Sequence, residues 1–335
     1  MNRKDDHISG ARKQKPLNND FDRIRFIHRS LPQTSKDKVD LKSRFSSFII
    51  PYPLYINAMT GGSETAKSIN KALATIADYF NLPLALGSAS AAIKEDKWLE
   101  SYQVVSKIHT GLTFANIGAD KTLADAEEAI HMINADLLQI HVNAPQEMIM
   151  PEGERDFTKW LDNIETIVKN VPVPVIVKEV GFGMNKSTVA KLKAIGVKTV
   201  DVSGSGGTNF ALIENERRQK PYTTLNTWGL STVESLLEAN QIQDIEVLAS
   251  GGIRHAMDIA KALTLGAKAV GMSGWFLRQL DQHPLKTVIE NTEHLFDELK
   301  TIMTLLGVNT IDAMRDVQVL FDSELTHYCN QRNLT

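Results

Sequence analysis

The sequence holds a single cysteine, Cys329, in 335 residues. No disulfide can form within the chain, which suits a reducing compartment. Cys329 also lies beyond the ordered-looking motifs, which argues against a cysteine nucleophile. No apolar run reaches the ~20 residues needed to cross a bilayer. The opening "MNRKDDHISGARKQKPLNND" is too polar for a signal peptide, so a cytoplasmic protein is expected. An excess of one charge is lacking too. The formal net charge is -3 and there is no long basic run, which argues against nucleic acid as the main partner. No "GxGxxG" follows an early strand-like segment, where "NAMTGG" stands instead. That lowers the reading of an open dinucleotide-binding sheet.

What remains has ordinary globular composition, 42% hydrophobic and 23% charged. Eight short apolar segments read as strands, over 54–58, 84–87, 112–116, 137–141, 173–178, 199–203, 246–249 and 267–272. Helical patterns over 63–80, 124–133, 185–195, 232–239 and 255–265 alternate with them, and a weaker one falls within 94–107. Strand–helix alternation implies a parallel sheet, and eight units in this length predict a (β/α)₈ TIM barrel. Residues 1–46 read as an N-terminal arm over the barrel mouth, or a tail. Residues 47–335 read as the barrel with C-terminal helices from about 285. The stretches 145–157 and 204–230 read as long loops.

A barrel carries its site at the C-terminal strand ends. There stand Met59 and Thr60, Ser88, Asn116, His141 and Asn143, Lys178, Ser203 to Thr208, Ser250 to Gly252, and Ser273 with Gly274. Polar residues and glycine end many strands for turn reasons alone. Eight such ends together favour a ligand site. Lys178 closes "VPVIVKEV", where burial demands an anionic or electron-rich partner. "SGGIR" after the seventh segment and "MSG" after the eighth occupy the barrel's usual phosphate position. Gly251, Gly252, Ser273 and Gly274 would offer N–H groups there, and Arg254 either faces the anion or pairs at the surface. His141, Asn143, Gln146 and Glu147 fall within seven residues. His and Asn suit an anion, Gln an uncharged contact to a reacting group, and a lone Glu a Mg²⁺ beside a diphosphate. Glu152 and Glu154 read as residues of a polar surface loop. Arg3, Lys4 and His7 in "RKDDH" supply positive charge if the arm folds over the site, and otherwise form a solvated tail.

These motifs, with "GSAS", "FANIG", "QIHVNAPQEMIMPEGERDF", "VIVKEVGFGM", "DVSGSGGTNFALIENERR" and "LASGGIRHAMDIAKAL", span residues 3 to 274. The chain resembles the type 2 isopentenyl-diphosphate isomerases, which are FMN-dependent barrel enzymes of isoprenoid biosynthesis. The resemblance implies FMN on Ala58, Met59, Thr60, Ser88, Asn116, Lys178, Ser203 and Thr208. It places the FMN phosphate on Gly251, Gly252, Arg254, Ser273 and Gly274. It implies substrate diphosphate on Arg3, Lys4, His7, His141 and Asn143, with Gln146 beside the reacting carbons and Mg²⁺ on Glu147. NADPH as the reductant of FMN and a homo-oligomer, tetramer or octamer, belong to the same implication. One departure is "TWGLST", where the family pattern carries proline at position 231 and this chain has Ser231.

Other readings fit the same barrel. A flavin-dependent hydroxy-acid oxidase would need a histidine–arginine pair after the sixth strand, where "SGSGGTNF" stands. A related nucleotide dehydrogenase would need a loop cysteine. A non-catalytic flavin or phosphate binder would not need Gln146 and Glu147.

Overall fold

The computed structural model describes residues 3–14 and 19–334. Eight parallel strands close into a barrel in chain order: Leu54–Ile56, Leu84–Ala85, Thr113–Gly118, Leu137–Val142, Val175–Glu179, Thr199–Asp201, Glu246–Ser250 and Val270–Met272. They are called the first to eighth strands below. Each coincides with one of the eight apolar segments, differing by a few residues at its ends. The expected (β/α)₈ barrel is therefore the fold.

Alternation along the strands layers the barrel interior. Side chains two apart point the same way. Tyr55, Phe114, Leu137, Ile176 and Leu248 form an apolar layer toward the strands' N-terminal ends. Two residues further on stand Asn57, Asn116, Gln139, Lys178 and Ser250, which form a buried polar layer. Phe45 closes the apolar layer from below, its ring 6.3 Å from that of Tyr55 and 6.1 Å from that of Phe114. It sits on the hairpin Ser43–Phe45 and Phe48–Ile50, pinned where the strands begin by Ser43 Oγ donating to the Lys268 carbonyl. Outside, the helices bury one face each. In Glu64–Phe80, Ile69, Leu73, Ile76 and Phe80 are buried at helical spacing, Ser63 caps the start, and Asn81 ends the helix in the left-handed region. Burying each such side chain is worth roughly 1.5–3 kcal/mol.

The structure departs from the sequence reading in short elements. The supposed loop 145–157 begins inside a helix, Ala144–Ile149, and 204–230 contains the helix Phe210–Glu216, capped by Asn209. Six or seven residues are too few to show a helical period. The weak pattern in 94–107 resolves into two helical fragments, Ser90–Lys94 and Glu100–Gln103, joined by a 3₁₀ turn. Residues 1–46 contribute at both ends of the barrel. The helix Arg3–Lys13 contacts the helices Glu64–Phe80, Phe210–Glu216 and Gly274–Gln282, while the Ser43–Phe45 strand lies at the opposite end. Ile24–Phe26 pairs antiparallel with Val319–Phe321, a tie between the chain's two ends that neither segment signals alone. Ser231 explains the departure from proline. Its N–H donates to Glu234 and its hydroxyl accepts from the Glu234 N–H, a capping box that proline could not complete.

Candidate active site

The C-terminal strand ends open into a cavity of about 500 Å³. Every residue to which the resemblance assigns a ligand contact lines it except Arg3, whose side chain lies outside the described residues. The floor is the buried polar layer. Asp201 accepts from Tyr55 Oη at 2.6 Å, Asn57 Nδ2 at 3.0 Å and Ser250 Oγ at 2.7 Å. Lys178 Nζ lies 4.0 Å from the Asp201 carboxylate and donates to Ser203 Oγ at 3.0 Å. Burial pulls the Lys178 ammonium below its ordinary range, and the charges of Asp201 and Glu179 oppose that pull. Ser203 has φ 33, in the left-handed region, so its backbone is held out of the usual wells at a strand end. Neighbouring Glu179 is buried, and burial pushes its carboxyl up to about 8 although the N–H groups of Val180 and Phe182 bond to it. On the first two strands, Thr60 turns its hydroxyl to Asn70 and Ser88 shares a hydrogen bond with Ser90. Ala58 and Met59 line the same wall.

Glycine shapes the wall at the sixth to eighth strands. Gly251 and Gly252 have φ 89 and 78, which a side chain would strain. A Cβ on Gly207 would come within 2.9 Å of the Gly252 nitrogen, so these loops meet backbone to backbone. Among the described residues no acceptor pairs with the N–H of Gly207, Thr208 or Gly252. Ser273 and Gly274 open the helix Gly274–Gln282, adding first-turn N–H groups without intrahelical partners. Arg254 lines this wall but is engaged elsewhere. Its guanidinium donates to Asp22 at 2.6 and 2.9 Å and to Asp258 at 2.8 and 3.0 Å. The bond from Arg254 holds the Asp22 carboxyl down at about 2.

The fourth strand supplies side chains instead. His141 Nδ1 bonds Asn116 Oδ1 at 2.8 Å, and Asn116 Nδ2 donates to Gln139 Oε1 at 3.1 Å. That amide orientation leaves Nδ1 as donor and Nε2 with a lone pair. Burial, joined by the positive charge of Lys4, lowers the His141 imidazole to about 4. It is therefore neutral near pH 7. Gln146 is held at both ends of its amide: Oε1 accepts from Asn143 at 3.2 Å and Nε2 donates to Glu214 at 3.1 Å. Glu147 accepts from Asn143 at 2.9 Å and from the Glu154 N–H at 2.8 Å, with no cation paired to it among the described residues.

Glu214 is the residue the sequence reading missed. Its side chain has no exposure, yet it bonds His7 at 2.8 Å, Gln146, and Arg217 at 2.5 Å. Burial pushes this carboxyl up, but the bonds from His7 and Gln146 outweigh it and hold the group below the usual range. One signal existed: on the helix Phe210–Glu216, Glu214 shares a face with Phe210 and Ala211, and a carboxylate on an apolar face needs partners. Arg217 also pairs with Glu152, which ties that carboxylate of the 145–157 segment to the cavity rim. Lys94, Asp120, Lys121, Trp160 and Arg278 line the cavity as well.

This arrangement fits FMN. It joins unpaired N–H groups for a phosphate to a polar floor carrying a buried cation. The comparisons with known proteins agree. Residues 101–320 match the family described as FMN-dependent dehydrogenase. Among solved structures, a mandelate oxidase variant superposes with a TM-score of 0.70 at 17% identity, covering 95% of this chain and 92% of its own. A flavocytochrome b2 variant gives 0.69 at 21%, covering 95% and 79%. These likenesses show the fold. An isopentenyl-diphosphate delta-isomerase from Staphylococcus haemolyticus is 48% identical over 99% of this chain and 96% of its own length. One from Staphylococcus aureus strain Newman is 47% identical over the same shares. Identity at that level along the whole chain settles the family, and this chain belongs to the isopentenyl-diphosphate delta-isomerases, on the barrel of the FMN-dependent dehydrogenases.

Proposed function

We propose that the protein interconverts isopentenyl diphosphate and dimethylallyl diphosphate in isoprenoid biosynthesis, with reduced FMN, Mg²⁺ and NADPH as the reductant of the flavin. The observation that carries this reading is Gln146, a buried, uncharged amide fixed between Asn143 and Glu214 in the side-chain wall at the fourth strand. A protonated alkene survives only in a centre shielded from water, and an uncharged amide can contact it there without competing for the proton.

FMN would rest on Ala58 to Thr60, Ser88, Asn116, Ser203 and Thr208, with its phosphate at Gly251, Gly252, Ser273 and Gly274. Lys178 would hold its proton on Nζ as the positive charge an anionic reduced ring requires. When bound, reduced FMN supplies an electron-rich ring able to give and take a proton and to stabilise positive charge on a protonated alkene. Arg3, Lys4 and His7, on the helix that closes the mouth as an arm, would bind the diphosphate with His141 and Asn143. An anion beside His141 favours the protonated imidazole, so bound diphosphate would offset part of the burial that lowers this ring. Glu147 suits Mg²⁺, which takes few protein carboxylates and completes its shell with phosphate oxygens and water. No group of three or more metal-ligating side chains occurs among the described residues, so the ion would arrive with the diphosphate. We extend the reading to a cytoplasmic homo-oligomer, tetramer or octamer. Exposed Leu31 and Leu305, on segments joined by a backbone hydrogen bond, have the character such a contact needs.

The test supplies purified protein with isopentenyl diphosphate, FMN, Mg²⁺ and NADPH. Dimethylallyl diphosphate should form without stoichiometric loss of NADPH. No product, together with oxidation of a 2-hydroxy acid, would replace this reading by the oxidase reading.

A further inference from the structure

The phosphate wall lacks a charge where the sequence had supplied one. Arg254 has at least four of its five N–H donors committed to Asp22 and Asp258. Its guanidinium is thus turned to the two carboxylates and holds the turn in place. A flavin phosphate brings up to two negative charges, and unpaired N–H groups alone would meet them with partial charges only.

Arg278 stands on the same wall and is differently placed. It lies one turn into the helix Gly274–Gln282. Its Nη1 comes 3.1 Å from where a Cβ on Gly274 would be, a point that also lies 4.0 Å from the Thr208 hydroxyl. The guanidinium is thus gathered with the first-turn backbone of that helix and the end of the sixth-strand loop. No carboxylate or carbonyl among the described residues bonds to it. Asp281, one turn further on, is occupied by Arg12 at 2.6 Å. Burial alone lowers the Arg278 guanidinium, with no acid to offset it, which is the condition of a cation awaiting a partner.

We propose that Arg278 supplies the cationic contact to the FMN phosphate and that Arg254 is instead a strut fixing the glycine turn to Asp22 and Asp258. The inference rests on the FMN reading above and assigns its phosphate end. Gly252 and Thr208 give directional N–H donors, and Arg278 adds a charged fork that matches a phosphate.

The experiment titrates FMN, and separately riboflavin, into flavin-stripped wild type, Arg278→Met and Arg278→Lys, read by quenching of flavin fluorescence. Arg278→Met should weaken FMN roughly ten- to hundredfold, the range of one charge-assisted bond, and leave riboflavin unchanged. Arg278→Lys should recover part of the loss, and the ³¹P resonance of bound FMN should shift in both variants. Equal loss for both flavins would mean a merely structural role and overturn the proposal. So would unchanged FMN affinity, or a loss confined to isopentenyl diphosphate in a parallel titration. Wild type that binds neither flavin would instead overturn the FMN reading. If Arg278→Met fails to fold, Arg278→Lys and its ³¹P shift still decide.

Discussion

At the seventh and eighth strands the cavity wall is backbone: Gly251 with Gly252 at the end of one strand, and Ser273 with Gly274 at the end of the next. At the fourth strand it is side chain: Gln146, Glu214 and His7, drawn from segments up to 207 residues apart. The first wall is built from short turns, so each loop's own sequence specifies its part. The second exists only when the N-terminal helix, the helix Ala144–Ile149 and the helix Phe210–Glu216 have all docked. A cofactor that stays bound suits the first kind of wall, and a substrate that comes and goes suits the second.

Removing the charge on Glu147 should separate the two walls most sharply. Glu147→Gln should lose about a hundredfold or more of Mg²⁺-supported turnover, since a bound metal contributes several kcal/mol to charge stabilisation. FMN affinity, measured by fluorescence quenching, should stay as in wild type. Full activity with unchanged Mg²⁺ dependence would remove the metal from the side-chain wall.

The side-chain wall should also be the acid-sensitive one. His141 is lowered to about 4 in the folded protein, against about 6.5 in an unfolded chain. The unfolded state therefore binds more protons between those values, and stability rises with pH across that window. Its contribution is fully present above pH 6.5 and lost as pH falls through 4. The shift corresponds to ~2 kcal/mol after discounting for the open mouth. Denaturant unfolding of ligand-free wild type and His141→Gln at pH 7 and pH 4.5 should show a smaller acid loss in the variant. Equal losses would place the acid sensitivity elsewhere.

Glu214→Gln keeps the shape but drops the charge that His7, Gln146 and Arg217 share. We expect about a tenfold fall in kcat/KM for isopentenyl diphosphate, near 1.5 kcal/mol, with FMN affinity retained. A fall in FMN affinity of the same size would mean the two walls are not separable.

How much could be read in advance follows the same division. Asn116, Lys178 and Ser203 were legible because each ends an apolar run of strand length. The glycine turns were legible because a local motif implies its own geometry. Glu214 was not, because its burial depends on partners far away in sequence. The Ile24–Phe26 pairing with Val319–Phe321 was hidden for the same reason: three residues on each side carry no usable period. Arg254 shows the limit of a local motif. The motif left it either facing an anion or pairing at the surface, and the Asp22 that pairs with its guanidinium is distant in sequence.

The smallest effect expected is at the turn where the chain departs from proline. Ser231→Pro deletes an N–H donor to Glu234 and the capping hydroxyl, and should cost ~1 kcal/mol in thermal unfolding, with both ligands bound as before. A neutral result would mean that the helix Thr232–Ala239 does not depend on its cap.

The division of the cavity is tested most directly by removing residues 1–7, stopping before the buried Ile8. FMN and isopentenyl diphosphate are titrated into intact and truncated protein, the diphosphate in the presence of FMN and Mg²⁺. Charge-assisted bonds are worth roughly 1.5–3 kcal/mol each, so losing two from this segment should raise the dissociation constant of the diphosphate about a hundredfold or more. FMN should bind the truncated protein as it binds the intact one. Equal diphosphate affinities in the two proteins, or a parallel loss of FMN, would contradict the account.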